Sequence, residues 1–355
     1  MSRALTGLVL LIGLAAGNGA AQEGGKMSVL VYADYVYNLQ RDTSLTNAVL
    51  DGQEDFNAFQ LRRVYLTHDH RISGEFVTRI RLEADEAART SDGKTGVFLK
   101  DAYLKWSGVF GSHDLMIGVQ PTPAFEISEA VWGFRSLEKT IMDLRGFVNS
   151  RDLGVSLRGP VDPGKNIHYV VFAGNGSGNR PEGDKWKRVY ARLGARPVAG
   201  LDVTVTGDYS AGPGVISPYS GSRVSNSVLT GAAFVGVSIA EYAHIGVEGV
   251  LQSQLNGYDT GTRLTERNRL GISVFGRWTV TERVTLVGRY DFFDPNTHGN
   301  AQNDTRGYFL GGISWSPAAN VEIVPNVQVE TLESTSQRSY KPSVTGRLTM
   351  VWATP

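Results

Sequence analysis

The sequence predicts an all-β protein, a transmembrane antiparallel β-barrel of about 16 strands. Three observations predict it. Segments of about ten residues alternate apolar and polar side chains along most of the chain, which is the period-two signature of a strand with two unlike faces. The connections alternate short and long, the pattern of barrels with tight periplasmic turns and long outer loops. After residue 21 no run of about 18 apolar residues occurs, so the chain offers no transmembrane helix.

The elements follow in order. Residues 1–21 read as a signal peptide: Arg3 is followed by an apolar stretch, and Gly19-Ala20-Ala21 supplies small residues for cleavage after Ala21. Residues 22–355 form one domain. The first strand covers 26–37, and a polar loop leads to the second at 58–67. The third shows the pattern most clearly. Phe76, Thr78, Ile80, Leu82 and Ala84 make one face, and Glu75, Arg79, Arg81, Glu83 and Asp85 mark the other. Strands at 97–106 and 114–120 follow. After residue 150 come strands at 151–158, 167–173, 186–193, 201–209, 228–239, 243–255, 268–278, 284–292, 306–315, 321–331 and 343–352, sixteen in all. The arginines of the third, sixth, twelfth and thirteenth strands, Arg158, Arg277 and Arg289 among them, fall on the polar parity, as lipid requires. Lys or Arg at the lipid-facing midplane costs about 2–4 kcal/mol. Trp106, Trp278, Trp315, Tyr290 and Trp352 fall on the apolar parity, where an aromatic girdle would stand.

The alternation stops once, for residues 121–150. A connection that long is usually functional or disordered. This one carries Phe125, Val131, Trp132, Phe134, Leu137, Ile141, Met142, Leu144 and Phe147, so it has apolar surface to bury. The expectation is a third outer loop folded into the lumen, with its apolar residues on the wall. Glu126, Glu129, Arg135, Glu138, Lys139, Arg145 and the adjoining Arg151 would then narrow the pore. Arg79, Arg81, Glu83, Arg158, Arg277 and Arg289 are the pore-wall candidates. Val131, Phe134, Leu137 and Ile141 have near-helical spacing, which leaves a helical turn open.

Composition sets bounds. The 355 residues contain no cysteine, which excludes disulfides and thiolate chemistry. Lys plus Arg and Asp plus Glu are 35 each, so no polyanion such as nucleic acid is implied as a partner. Of the basic residues 26 are Arg, the side chain suited to binding oxyanions. Other motifs are weak. His68-Asp69-His70 reads as a turn more readily than a metal site. The glycine-rich 174–178 precedes no helix and so lacks the context of a phosphate loop. Asp291, Asp294, Asn303 and Asp304 read as a solvated outer loop rather than a calcium site. His168 and His244 lack a nucleophile motif. No cofactor or metal is expected.

Several stretches carry a family resemblance. FQLRR from Phe59, KDAYLKW from Lys100, IGVQPTPAFE from Ile117, FRSLEK from Phe134 and RDLGVSLRG from Arg151 follow one another in order. Together they resemble the phosphate-selective porin O and P family of outer-membrane porins, over roughly residues 59–193. The resemblance implies a homotrimer of sixteen-stranded barrels with the third outer loop turned inward. It also implies basic residues at the constriction that favour anions, here Arg135, Lys139, Arg145 and Arg151. The chain departs from the pattern in placing Glu126, Glu129, Glu138 and Asp143 in the same segment, and in ending three residues beyond Trp352. The resulting expectation is a non-enzymatic outer-membrane diffusion channel for small hydrophilic solutes and ions, surrounded by lipid. The alternatives are a barrel hydrolase and a closed structural or adhesive barrel.

Overall fold

The computed structural model describes residues 24–42, 49–50, 52–299, 304–334 and 339–354. The signal-peptide expectation and Asn303 lie outside these residues. Sixteen strands form the barrel: β1 (Lys26–Gln40), β2 (Asn57–Arg71), β3 (Phe76–Arg89), β4 (Thr95–Phe110), β5 (His113–Pro121), β6 (Arg151–Pro160), β7 (Ile167–Gly174), β8 (Arg188–Ala195), β9 (Leu201–Ser210), β10 (Val228–Ile239), β11 (Ala243–Asp259), β12 (Leu264–Thr281), β13 (Val284–Asp294), β14 (Arg306–Ala318), β15 (Val321–Leu332) and β16 (Ser343–Thr354). Each pairs antiparallel with its neighbours in sequence, and β16 closes the ring on β1 through pairs such as Val31↔Trp352 and Tyr35↔Leu348. Closure leaves no open edge, a requirement for backbone in hydrocarbon.

The faces explain why these segments are strands. Ile80, Leu82, Ile245, Val247, Leu251, Ile272, Val274, Leu286 and Ile313 are exposed. Their alternates Glu83, Glu248, Val250, Ser273, Val287 and Ser314 are buried. A water-soluble protein does not expose a continuous apolar band of this extent. The sequence parity is therefore observed, with the apolar face outward. Trp106, Trp278, Trp315, Tyr290 and Trp352 all lie exposed on that outer face.

Two irregularities bear on the interior. Tyr32 pairs with Arg63 but Ala33 pairs with Leu61, so Arg62 is an extra residue in β2. Arg81 pairs with Asp101 but Leu82 pairs with Leu99, so Lys100 is an extra residue in β4. Each is a β-bulge, which sets two residues opposite one and re-aims the side chains. The connection between β9 and β10 contains a small hairpin, Val215–Ile216 with Arg223–Val224, that alternation did not reveal.

Candidate channel constriction

The segment 121–150 leaves β5 and returns to β6 at one point. Pro121 pairs with Arg151 across the ladder, and the Thr122 hydroxyl donates to the Asn149 carbonyl at 2.7 Å. Between these ends stand two short helices, α1 (Glu126–Trp132) and α2 (Ile141–Leu144). Gly133 stops α1 at φ 70°, with its amide donating to the Glu129 carbonyl; only glycine adopts that conformation freely. Phe134 and Leu137 lie between the helices, so the near-helical spacing of 131–141 is not one helix. It arises from separate turns that bury the same side.

That side meets wall residues that sit where alternation would place polar ones. Val131, Trp132, Phe134 and Leu137 form one cluster with Phe234, Phe275, Val287, Tyr308, Leu310 and Val324. Phe125, Ile141, Met142, Phe147 and Val148 form a second with Phe172, Tyr190, Val250 and Phe293. Trp132 stands edge-on to Phe275 with ring centroids 5.4 Å apart. Gly271 of β12 makes room: a Cβ there would lie 3.1 Å from Ile141 Cδ1 and 3.2 Å from Phe147.

Polar clamps tie the same segment to strands around the ring. Non-helical backbone has unpaired carbonyls that need donors when buried, and arginines of the wall supply them. Arg62 of β2 donates to the Leu137 and Ser136 carbonyls. Arg188 of β8 reaches the Phe147 carbonyl and Arg192 that of Pro123, each at 3.3 Å. Arg269 of β12 reaches the Arg145 carbonyl at 2.5 Å, and Arg289 of β13 reaches that of Lys139. The Ser128 hydroxyl donates to Glu248 of β11 at 2.9 Å.

The charged candidates fall into distinct settings. Arg135 bridges Glu129 at 2.9 Å and Asp143 at 3.1 Å. Burial pushes the Glu129 carboxyl up, against the pull of Arg135. At Glu138 burial acts the same way but is outweighed by Arg62 and Arg347, which hold its pKa below the usual range. Arg145 pairs with Glu330 of β15 at 2.8 Å. Lys139 is half-buried and has no ion pair among the described residues. Three carboxylates each serve two cations: Glu83 takes Arg63 (2.7 Å) and Lys100 (2.9 Å), Asp101 takes Arg151 and Arg81 (3.4 Å), and Glu126 takes Arg192 (2.6 Å) and Arg158 (3.6 Å). Arg289 is fully buried against Asp291. Arg79 binds Asp69 near the short turn after β2, away from this cluster. Arg277 lies against Gly133 of the segment.

Sequence reasoning missed Arg62, Arg63, Lys100, Asp101, Arg188 and Arg192. The adjacent charges Arg62-Arg63 and Lys100-Asp101 were the available signal, because two consecutive charges on one face require a bulge. A cleft of about 520 Å³ beside the segment is lined by Arg145, Arg267, Arg269, Arg306, Glu138, Asp304 and Phe293. Elsewhere, His68 and His70 stack on one strand face with centroids 5.9 Å apart, while Asp69 between them is held by Arg79. Gly176 of the glycine-rich loop donates its amide to Asp152 at 2.7 Å. Asp291 is committed to Arg289 and Ser273. His244 Nδ1 lies 2.8 Å from the Ser238 hydroxyl, beside the short turn between β10 and β11.

No family model matches the chain, and no curated protein matches it. Solved structures do. The outer-membrane channel DcaP of Acinetobacter baumannii superposes with a TM-score of 0.67 at 12% identity, covering 96% of this chain and 100% of that one. An anion-selective porin from Comamonas acidovorans gives 0.63 at 10% identity, covering 93% and 99%. OmpF of Salmonella typhi, in complex with daunomycin, gives 0.62 at 10% identity, covering 93% and 97%. At these identities the likeness establishes architecture, and the architecture is the sixteen-stranded barrel of bacterial outer-membrane porins.

Proposed function

We propose that the protein is a passive outer-membrane diffusion channel for small hydrophilic solutes and ions, with residues 121–150 lying in its lumen as the constriction. One observation carries this reading. The segment bonds to β2 and also to strands from β8 to β15, always through side chains opposite in parity to the exposed apolar face. A segment outside a closed ring reaches that set of side chains on one flank only. Sixteen strands leave room for an aqueous path beside it.

The preference is for anions. At Glu83, Asp101 and Glu126 two cations share each carboxylate. Arg267 and Arg269 add cleft charge with no carboxylate within ion-pair distance among the described residues. Charged linings set ion preference through the potential they create. The test is single-channel recording in a planar bilayer under a salt gradient. Steady conductance with an anion-favouring reversal potential is expected. A cation-favouring potential removes the charge argument, and silence from folded protein removes the channel.

The Ser238–His244 contact is the one observation that favours a hydrolase. Among the described residues no carboxylate bonds that imidazole, so the orienting partner of a nucleophile–base pair is lacking. Ester hydrolysis that is lost in Ser238→Ala would establish that reading instead.

A further inference from the structure

Glu330 of β15 is buried, and it joins three parts of the chain. Its Oε1 accepts from Arg145 of the inserted segment at 2.8 Å. Its Oε2 accepts the backbone amides of Val49 and Leu50, at 2.6 and 2.9 Å. Those two residues belong to the connection between β1 and β2. Leu50 is only 2% exposed and packs in the same cluster as Trp132, Leu137, Tyr308 and Leu310. Thus the connection after β1 and the segment after β5 meet at one carboxylate. Arg145 faces Phe293 at 5.1 Å on its other side, and its Nε and Nη2 are buried without hydrogen-bond partners. Glu330 is therefore the one carboxylate, among the described residues, that neutralises Arg145 at ion-pair distance.

We propose that Glu330 is a positioning residue for the constriction: one oxygen fixes Arg145, the other fixes Val49 and Leu50, and its charge sets the potential at that end of the passage. The physical reason is that a buried charge pair is held only while both partners are present. Removing one leaves the other buried and uncompensated. Without the carboxylate charge, Arg145 acts on passing ions unopposed, and the two amides lose a charge-assisted acceptor. The electrical consequence rests on the channel reading above; the positional one does not.

The absence of cysteine allows a direct test. Leu50→Cys places a single thiol at the junction, and its reaction with a charged methanethiosulfonate reagent reports whether Val49-Leu50 is held. With Glu330 in place the reaction is slow. In Glu330→Gln it is expected to quicken at least about tenfold, the factor that corresponds to roughly 1.4 kcal/mol. In the same variant without the thiol, the reversal potential moves toward anions. Glu330→Asp keeps the charge but is one methylene short, so it is expected to hold the wild-type potential while also exposing the thiol. That variant carries the test if Glu330→Gln does not fold. Equal thiol rates in all backgrounds overturn the proposal, and so does an unchanged potential in conducting Glu330→Gln. Quickened thiol reaction in Glu330→Gln, alongside a wild-type barrel that conducts nothing, would overturn the channel reading and leave the positioning role standing.

Discussion

At the scale of single residues, the interior is a set of unequal charge exchanges. A buried carboxylate between two cations, such as Glu83 between Arg63 and Lys100, offsets only one of the two charges. Sequence could not reveal this arrangement, because strict alternation sends one member of each pair, Arg62-Arg63 and Lys100-Asp101, to the outer face. The bulges return them to the interior, and adjacent charges were the only trace. Glu129 makes a testable case. Burial raises its pKa despite Arg135, so it takes up its proton at a higher pH than an ordinary glutamate. Protonation removes a negative charge and leaves Arg135 with Asp143 alone. The anion preference is therefore expected to strengthen as pH falls through the upper carboxylate range. Glu129→Gln is expected to show the stronger preference at every pH and to lose that step. Reversal potentials recorded from pH 8 to pH 4 decide it, and an unaltered step in the variant assigns the titration elsewhere.

At the scale of elements, strands were legible and the inserted segment's seat was not. A strand announces itself locally, through neighbours two residues apart. The seat is made of Phe234, Phe275, Val287, Tyr308, Leu310 and Val324, which occupy polar-parity positions on strands more than a hundred residues from Trp132. In sequence they look like blemishes in the alternation. They are apolar because the surface they face is apolar, and that surface comes from another part of the chain. The short helices were equally hidden, since Gly133 cuts the periodicity after Trp132. Trp132 has no exposed surface, and its indole donates to the Glu138 carbonyl at 2.9 Å. Trp132→Ala is expected to cost about 3–5 kcal/mol of local packing, the usual range for a buried large aromatic. The barrel ladder does not depend on this side chain, so the cost falls on the segment. Heat-modifiable gel mobility should stay that of a folded barrel, while single-channel current becomes larger and noisier. Wild-type current from the folded variant would show that the segment does not limit the passage.

At the scale of the molecule, the wall is uneven. Strands β7 and β8 have 8 residues each, whereas β11 and β12 have 17 and 18. Eight residues at about 3.3 Å each, tilted by about 40°, rise only about 20 Å. That is shorter than an apolar band of about 25 Å, and such mismatch is relieved by thinning the bilayer or by oligomerising. The exposed tryptophans give independent support. Trp106, Trp278, Trp315 and Trp352 stand on β4, β12, β14 and β16, none on the low side. There the exposed outward residues are aliphatic, Leu153, Val155, Val171, Val189 and Leu193, and the outward aromatic Tyr169 of β7 is half-buried, its hydroxyl 3.2 Å from His113 Nδ1. A side that is short and largely aliphatic, with no exposed tryptophan on its strands, is suited to protein rather than lipid, and three copies joined through β6–β8 would satisfy these features. Mass measurement in mild detergent is expected to give a trimer. Tryptophan is tolerated by lipid but not by a packed interface, so Val171→Trp on β7 should dissociate it. Val274→Trp on β12 should leave it intact. A monomeric wild type, or equal behaviour of the two variants, would mean that the low wall faces lipid and that the bilayer thins to meet it.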